Sequence, residues 1–229
     1  WDIPIIATET TLRIMQAYNE DRARRDFVED LAARYEDELD LIDNVEPRKP
    51  TLAFEESLRL YTNRGPLDFV SIGGAAPGSL WVSMPEQGLL IPGDTVAVED
   101  LPPLDLTPDS KVWLNTLGTI AHRRSVEHIV PGRGPAPISR EEIEPQRELL
   151  RVLRRSARVL ARDTEGAPSL EETAQYLGQA FFGQQGQVAV KRIRSGLEHL
   201  VAEIKGPESE DEENGGRDCA ATAQPSAPV

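Results

Sequence analysis

The chain has 229 residues and a formal net charge of −14 at pH 7, from 39 acidic and 25 basic side chains. This negative field opposes binding to nucleic-acid phosphates and to anionic membranes, so we expect neither partner. No apolar run approaches the roughly 20 residues that a membrane-spanning helix needs. The single cysteine, Cys219, excludes an intramolecular disulfide and is compatible with a reducing compartment. We therefore expect a cytoplasmic protein.

The N-terminal part begins with a short apolar run, WDIPIIAT, which predicts a buried strand. From residue 10 to residue 43, apolar side chains recur at steps of three and four residues between charges. This spacing predicts one or two amphipathic helices. The apolar residues are Leu12, Met15, Tyr18, Phe27, Leu31, Tyr35, Leu39 and Ile42.

Between residues 50 and 98 the pattern changes to short runs rich in Leu, Val, Ile and aromatic residues. The runs SLRLYT, LDFVSI, SLWVSM and GLLIPGD are separated by turn formers such as Gly73-Gly74, so they predict antiparallel strands. Thr107 followed by Pro108 then predicts a helix N-cap, with the helix running to about Arg124. The segment VEHIVPG predicts a further short strand.

The pattern after residue 139 is helical. Ser139 with Glu142, and Ser169 with Glu172, have the spacing of capping boxes. A later stripe of apolar residues predicts helix packing, although the basic residues beside it are also typical of a helix-turn-helix that reads nucleic acid. The acidic charge favours packing. The stripe is Val188, Val190, Ile193, Leu197, Leu200, Val201 and Ile204, and the basic residues are Lys191, Arg192 and Arg194.

The last segment, residues 206–229, has six acidic residues and one arginine, with no large apolar residue before the terminal valine. Such a composition buries too little apolar surface to offset the entropy of ordering. We predict a disordered acidic tail.

One long stretch carries a family resemblance. GGAAPGSLWVSMPEQGLLIPGDTV, followed by a helix and then VEHIVPGRGP, resembles the second half of a metallo-β-lactamase-superfamily hydrolase, with its GHTPGS turn, GD motif and PGHG turn. The resemblance implies an α+β fold, a partial αββα sandwich over residues 1–138 that lacks the first half of the family fold. Residues 139–205 would form a helical C-terminal extension, and residues 206–229 the tail.

The same resemblance identifies the positions of metal ligands. Asp94 matches the aspartate that bridges two zinc or other divalent ions, whereas the two histidine positions fall on Ala75 and Arg133. A methyl group has no lone pair, and arginine is a permanent cation. The family's HxHxDH motif is absent from this chain and belongs upstream of WDIPIIATETT. Because one aspartate cannot supply the affinity of a zinc site, we expect no metal to be bound.

Several residues have alternative interpretations. Asp94 either remains as a metal ligand or caps backbone amides in a turn, and we favour the turn role. A further hypothesis is that Arg133 forms an ion pair with Asp94 that replaces the metal charge. We do not expect His122, at a helix end, or His128, in a strand, to bind metal. His199, on a helical face, is expected to be partly exposed rather than catalytic. Ser79 lacks a nucleophile-elbow pattern, and Cys219 lies in the tail with no base nearby.

The sequence therefore predicts a metallo-β-lactamase-fold, hydrolase-like protein that is catalytically silent or truncated. One alternative is a weak metal-dependent hydrolase of esters, lactones or thioesters, if an upstream segment supplies HxHxDH. The other alternative is a non-catalytic protein-interaction module. A sheet without its partner exposes an apolar face, so we expect a homodimer, a partner protein or a longer chain to cover it.

Overall fold

The computed structural model describes residues 3–17, 48–162, 164, 166–183 and 186–206. Most of the helical region predicted between residues 10 and 43, and the predicted tail beyond Gly206, lie outside the described residues. No helix within the described ranges combines the length and apolarity needed to cross a membrane.

Two sheets are present in the described part of the chain. The small one pairs two parallel strands, and helix α1 (Glu9–Ala17) follows its first strand. The large one has five strands in chain order, antiparallel except for its last pair. The predicted strands are confirmed, and the structure adds one strand that was not predicted, β2 (Leu52–Phe54). The strands are β1 (Ile6–Thr8) and β2 in the small sheet, then β3 (Ser57–Thr62), β4 (Gly65–Ser71), β5 (Leu80–Met84), β6 (Leu89–Ala97) and β7 (His128–Arg133).

The parallel pairing of β6 with β7 requires a crossover, which helix α2 (Ser110–His122) provides. The helix is where the sequence predicts it, but its predicted cap is wrong. Asp109, not Thr107, is the N-cap, because its carboxylate accepts from the amides of Lys111 and Val112 at 2.8 and 2.9 Å. Thr107 instead donates its hydroxyl to Gly74 O at 2.8 Å.

Three further helices follow β7: α3 (Glu144–Ala161), α4 (Leu170–Phe182) and α5 (Gly186–Lys205). The capping box of Ser169 and Glu172 is confirmed at the start of α4. At Ser139 only half of a capping box forms: Glu142 accepts a hydrogen bond from the Ser139 amide. The residues that follow form a short 3-10 helix, Glu141–Ile143, before α3 begins.

The sheet and the C-terminal helices share one hydrophobic core. Leu90 and Ile129 from the sheet, Trp113 from α2, Leu153 from α3 and Ile193 from α5 are all fully buried within it. Trp113 also donates its indole N–H to Thr95 O at 3.0 Å, so the polar atom of this fully buried side chain is hydrogen-bonded. The division of the chain at residues 138 and 205 stays a prediction.

The large sheet buries only one of its faces. Along β5 and β6, Trp81, Ser83, Leu90 and Pro92 are buried against the helices, while the alternate side chains are half-buried or exposed. Strand register places nine apolar side chains on this second face, and none of them is buried. We call it the open face: Leu58, Leu60, Leu67, Phe69, Leu80, Val82, Met84, Leu89 and Ile91.

Candidate functional site

The turn between β4 and β5 holds the first candidate position. Ser79 closes this turn, because its hydroxyl donates to Ala76 O at 2.7 Å and accepts from the Ala76 amide at 3.2 Å. The backbone of Gly74 approaches β6 so closely that a Cβ there would lie 2.4 Å from Thr95 Oγ1. Glycine is required at this position, and the turn lies directly beside the end of the GD motif.

The turn after β7 lies against the same segment. A Cβ on Gly132 would lie 2.5 Å from the backbone nitrogen of Asp94, and one on Gly134 would lie 1.9 Å from Val98 O. The structure therefore brings together the three turns that the resemblance identifies, with Asp94 between the other two.

Asp94 and Arg133 form the ion pair that we hypothesised. Arg133 Nη2 donates to Asp94 Oδ2 at 3.1 Å, and Arg133 Nη1 lies 3.6 Å from Asp100 Oδ2. The hydrogen bond to Asp94 raises the pKa of the Arg133 guanidinium, so the arginine keeps its charge at any physiological pH. No described backbone amide donates to the Asp94 carboxylate, whose hydrogen-bond partner is this guanidinium rather than the turn amides we favoured.

Ala75 occupies the first histidine position of the resemblance and has no exposed surface. Its methyl group belongs to the hydrophobic core, and the neighbouring carbonyl of Gly74 accepts the Thr107 hydroxyl. Ala75 is therefore surrounded by packed atoms, which leave no open space for a metal ion at this position.

The described residues do not fit a divalent metal pair. Among them, no group of three or more His, Cys, Asp or Glu side chains is arranged to hold a metal ion. The ring atom His122 Nδ1 lies 2.7 Å from Gly118 O within its own helix, and His199 Nε2 lies 2.6 Å from Thr107 O. The third histidine, His128, is exposed on β7. Asp94 as a metal ligand stays a prediction.

A cavity of about 490 Å³ is lined in part by Asp100, the second carboxylate that Arg133 contacts. Its walls come from the end of β6, the start of α3 and the end of α4, which are distant in sequence, so no sequence motif indicated it. The walls are mostly apolar, with three carboxylates and one amide. The lining residues are Ala97, Val98, Glu99, Asp100, Glu142, Pro145, Gln146, Leu149, Phe181 and Phe182.

Arg192 connects the cavity to helix α5. Its guanidinium donates to Asp100 Oδ1 at 3.0 Å and to the carbonyl of Leu101. Arg192 is therefore held against the segment that follows β6 by hydrogen bonds. Arg194 pairs with Glu198 at 3.2 Å.

No protein-family sequence model and no curated protein matches the chain. Solved structures do match it. A metallo-β-lactamase family protein from Thermus thermophilus aligns with a TM-score of 0.54 at 18% identity, over 82% of this chain and 65% of that one. A β-lactamase domain protein from Burkholderia ambifaria also gives 0.54 at 18% identity, over 88% of this chain and 58% of that one. The chain has a metallo-β-lactamase fold.

The predicted fold class, an α+β, partial metallo-β-lactamase-like sandwich, is confirmed. The chain spans less than two thirds of the length of either similar structure. At 18% identity these similarities establish the fold alone, so any activity has to be argued from the residues of this chain.

Proposed function

We propose that this chain is a catalytically silent, hydrolase-like protein of the metallo-β-lactamase fold. The supporting observation is the ion pair between Arg133 and Asp94, with 3.1 Å between Nη2 and Oδ2. It lies at two of the positions where the resemblance expects metal ligands. The protein would keep the architecture of the site without its hydrolytic centre.

Charge and donor chemistry both support this proposal. The Arg133 guanidinium already compensates the Asp94 carboxylate, and it would repel a divalent cation placed beside it. Ala75 adds no lone pair and is fully buried. A catalytic zinc ion normally needs three protein ligands and a water molecule, and these positions supply one carboxylate that is already paired.

The first test compares the natural chain with its Asp94→Asn variant. Metal content would be measured after dialysis against zinc or manganese, and hydrolysis of ester, lactone and thioester substrates would be followed. We expect substoichiometric metal and equal, background rates for both proteins. Stoichiometric metal with hydrolysis that disappears in the Asp94→Asn variant would overturn the proposal.

The second test restores the ligands. An Ala75→His, Arg133→His double variant would add two imidazoles around Asp94, whereas the control Arg133→Gln breaks the ion pair without adding a ligand. We expect zinc binding to rise in the double variant and not in the control. Equal zinc binding by Arg133→Gln would mean that the arginine alone keeps metal away.

A second candidate function is a weak metal-dependent hydrolase of esters, lactones or thioesters. The apolar cavity beside Asp100 favours it, because such walls suit an acyl group. This activity requires a further segment that contributes HxHxDH. The matching experiment adds polypeptide carrying that motif and repeats the metal and hydrolysis measurements, with Asp94→Asn as the control.

A third candidate is a non-catalytic interaction module that uses the open face. Among the described residues, Phe54 of the small sheet contacts one end of this face, edge-on to Phe69 with ring centroids 6.4 Å apart. The remaining apolar side chains favour coverage by a second copy or a partner protein.

Val82→Lys on the open face should weaken self-association in sedimentation experiments. Tyr61→Lys on the opposite face, where Tyr61 is 82% exposed, is the matched control. A monodisperse monomer of high thermal stability would contradict this candidate.

We also propose a cytoplasmic location and no nucleic-acid or membrane partner. The single cysteine and the net charge of −14 support these proposals. Fractionation of cells that express the chain, and binding assays with DNA and anionic vesicles at physiological salt, would test them.

A further inference from the structure

We propose that an arginine stripe on helix α3 binds the acidic segment Glu208–Glu213 of the same chain. The stripe consists of Arg155, Arg158 and Arg162, which are all exposed. At 3.6 residues per turn their spacing places them within about 60° of one another around the helix axis. They form a compact positive surface on a protein whose net charge is −14.

The stripe lacks the partners that the first half of the same helix has. Glu144 pairs with Arg147 and with Arg151 at 2.5 and 2.7 Å, and Glu148 pairs with Arg151 at 3.1 Å. Beyond Arg151 the helix face has no carboxylate. Within the described part of the chain, Arg155, Arg158 and Arg162 form no ion pair and no side-chain hydrogen bond. Part of their charge is favourable at a helix C-terminus, but three unpaired guanidinium groups exceed that role.

The last described residues before the acidic segment lie at the same corner of the fold. Arg154 Nη1 lies 3.1 Å from Glu203 Oε1, so this part of α3 contacts the end of α5. Arg158 is one turn, about 6 Å, beyond Arg154. Helix α5 ends at Lys205, and Gly206 leaves it with a φ of 74°. The acidic segment follows two residues later.

The acidic segment is long enough to span the arginine stripe and has the opposite charge. Residues 208–213 have the sequence ESEDEE, five carboxylates within six residues. Six extended residues reach about 20 Å, which is longer than the roughly 10 Å between Arg155 and Arg162 along the helix. Charge-assisted, bidentate contacts between guanidinium and carboxylate groups are the strongest exposed pairs available to these side chains. A covalently attached segment also has a high effective concentration at the stripe.

The consequence for the protein is that the arginine stripe is bound by a segment of the same chain. Bound tail carboxylates would shield the stripe from polyanions and hold the end of α5 against α3. Because the pairs are exposed, the contact should weaken as salt shortens the screening length from about 30 Å at 0.01 M to about 3 Å at 1 M.

Paramagnetic relaxation enhancement tests the contact directly. The label would be attached to a Ser209→Cys variant in which Cys219 is replaced by serine, so that the chain keeps one thiol. At low salt we expect strong broadening of the amide signals of residues 155–162, and its loss at about 1 M salt. The triple variant R155Q, R158Q and R162Q should lose the broadening. The control R64Q, K111Q and R124Q removes the same charge from exposed sites elsewhere and should retain it.

Three results would overturn the proposal. The first is no broadening on α3 at low salt, and the second is broadening that persists in the stripe variant. The third is broadening of an isotope-labelled, diamagnetic protein mixed with a spin-labelled copy, which would make the contact intermolecular. As a further readout, neutralising the segment with E208Q, E210Q, D211N, E212Q and E213Q should increase binding of heparin at low salt. Unchanged heparin binding would contradict shielding by the tail.

Discussion

Replacing Arg154 by methionine should destabilise the fold strongly, although the same helix contains four other arginines. Arg154 is 8% exposed. Its guanidinium donates to Glu203 Oε1 at 3.1 Å and to the Ser110 hydroxyl. Glu203 in turn accepts from the Ser110 amide at 3.1 Å and from its hydroxyl at 2.9 Å. This network joins the start of α2 to α3 and α5.

The magnitude follows from what the substitution leaves behind. Breaking a buried ion pair by removing one partner costs about 3–5 kcal/mol, because the remaining charge is uncompensated. The Glu203 side chain is 20% exposed and keeps its two bonds from Ser110, which places the cost near the lower end. We expect a loss of about 2–4 kcal/mol in the free energy of unfolding.

Urea denaturation followed by tryptophan fluorescence measures this loss as a shift of the midpoint at constant slope. The matched control is Arg155→Met, which changes the next, exposed arginine and should alter stability by no more than about 0.5 kcal/mol. Replacing Glu203 by leucine in the Arg154→Met background should recover much of the loss. If Arg154→Met and Arg155→Met unfold at the same urea concentration, the reasoning is refuted.

Three further predictions concern the turns, a helix cap and an exposed ion pair. Gly134→Ala should cost about 2 kcal/mol or more, because φ is 96° and the new Cβ would lie 1.9 Å from Val98 O. Asp109→Ala should cost about 1 kcal/mol, and loss of α2 helicity by circular dichroism should accompany it. The hydrogen bond from Arg59 lowers the pKa of Asp68, so this pair stabilises the fold above the ordinary aspartate range and loses that contribution as pH falls. Asp68→Asn should therefore reduce the acid sensitivity of the unfolding free energy.

Each of these predictions has a result that contradicts it. For Gly134, the control is Gly166→Ala, where φ is 83° but no atom lies within 4 Å, so equal losses would mean that the clash is unimportant. Unchanged helicity in Asp109→Ala would restore the sequence-based choice of Thr107 as the cap. An Asp68→Asn variant that loses stability in acid as steeply as the natural protein would show that the Arg59 pair contributes no pH dependence.

Local chemistry explains which parts of the fold were predictable. The alternation in SLWVSM and the turn formers around it define a strand because its side chains face two different environments. The Ser169 box was predictable because all of its atoms lie within four residues. The cap of α2 was not, since both Thr107 and Asp109 are good cap residues. The choice depends on Gly74, which accepts the Thr107 hydroxyl from another part of the chain.

The candidate site was also predictable only in part. The pairing of Arg133 with Asp94 was anticipated only because a family resemblance placed both residues around one point. Arg192 and Asp100 are 92 residues apart and belong to no motif, so their contact was missed. The cavity beside them depends on how α4 meets α3, which periodicity does not specify. Tertiary contacts between distant segments are the part of the site that sequence patterns do not contain.

Under the proposed function, the burial of Ala75 would make the proposed loss of metal chemistry hard to reverse one step at a time. An imidazole introduced there alone would crowd a packed interior, at a cost of roughly 1–3 kcal/mol, and would find no ion to bind while Arg133 remains. A histidine introduced at position 133 alone would lack its companion. On this proposal, each single-residue route to a zinc centre would pass through a variant with less stability or no benefit, so at least two substitutions would have to occur together.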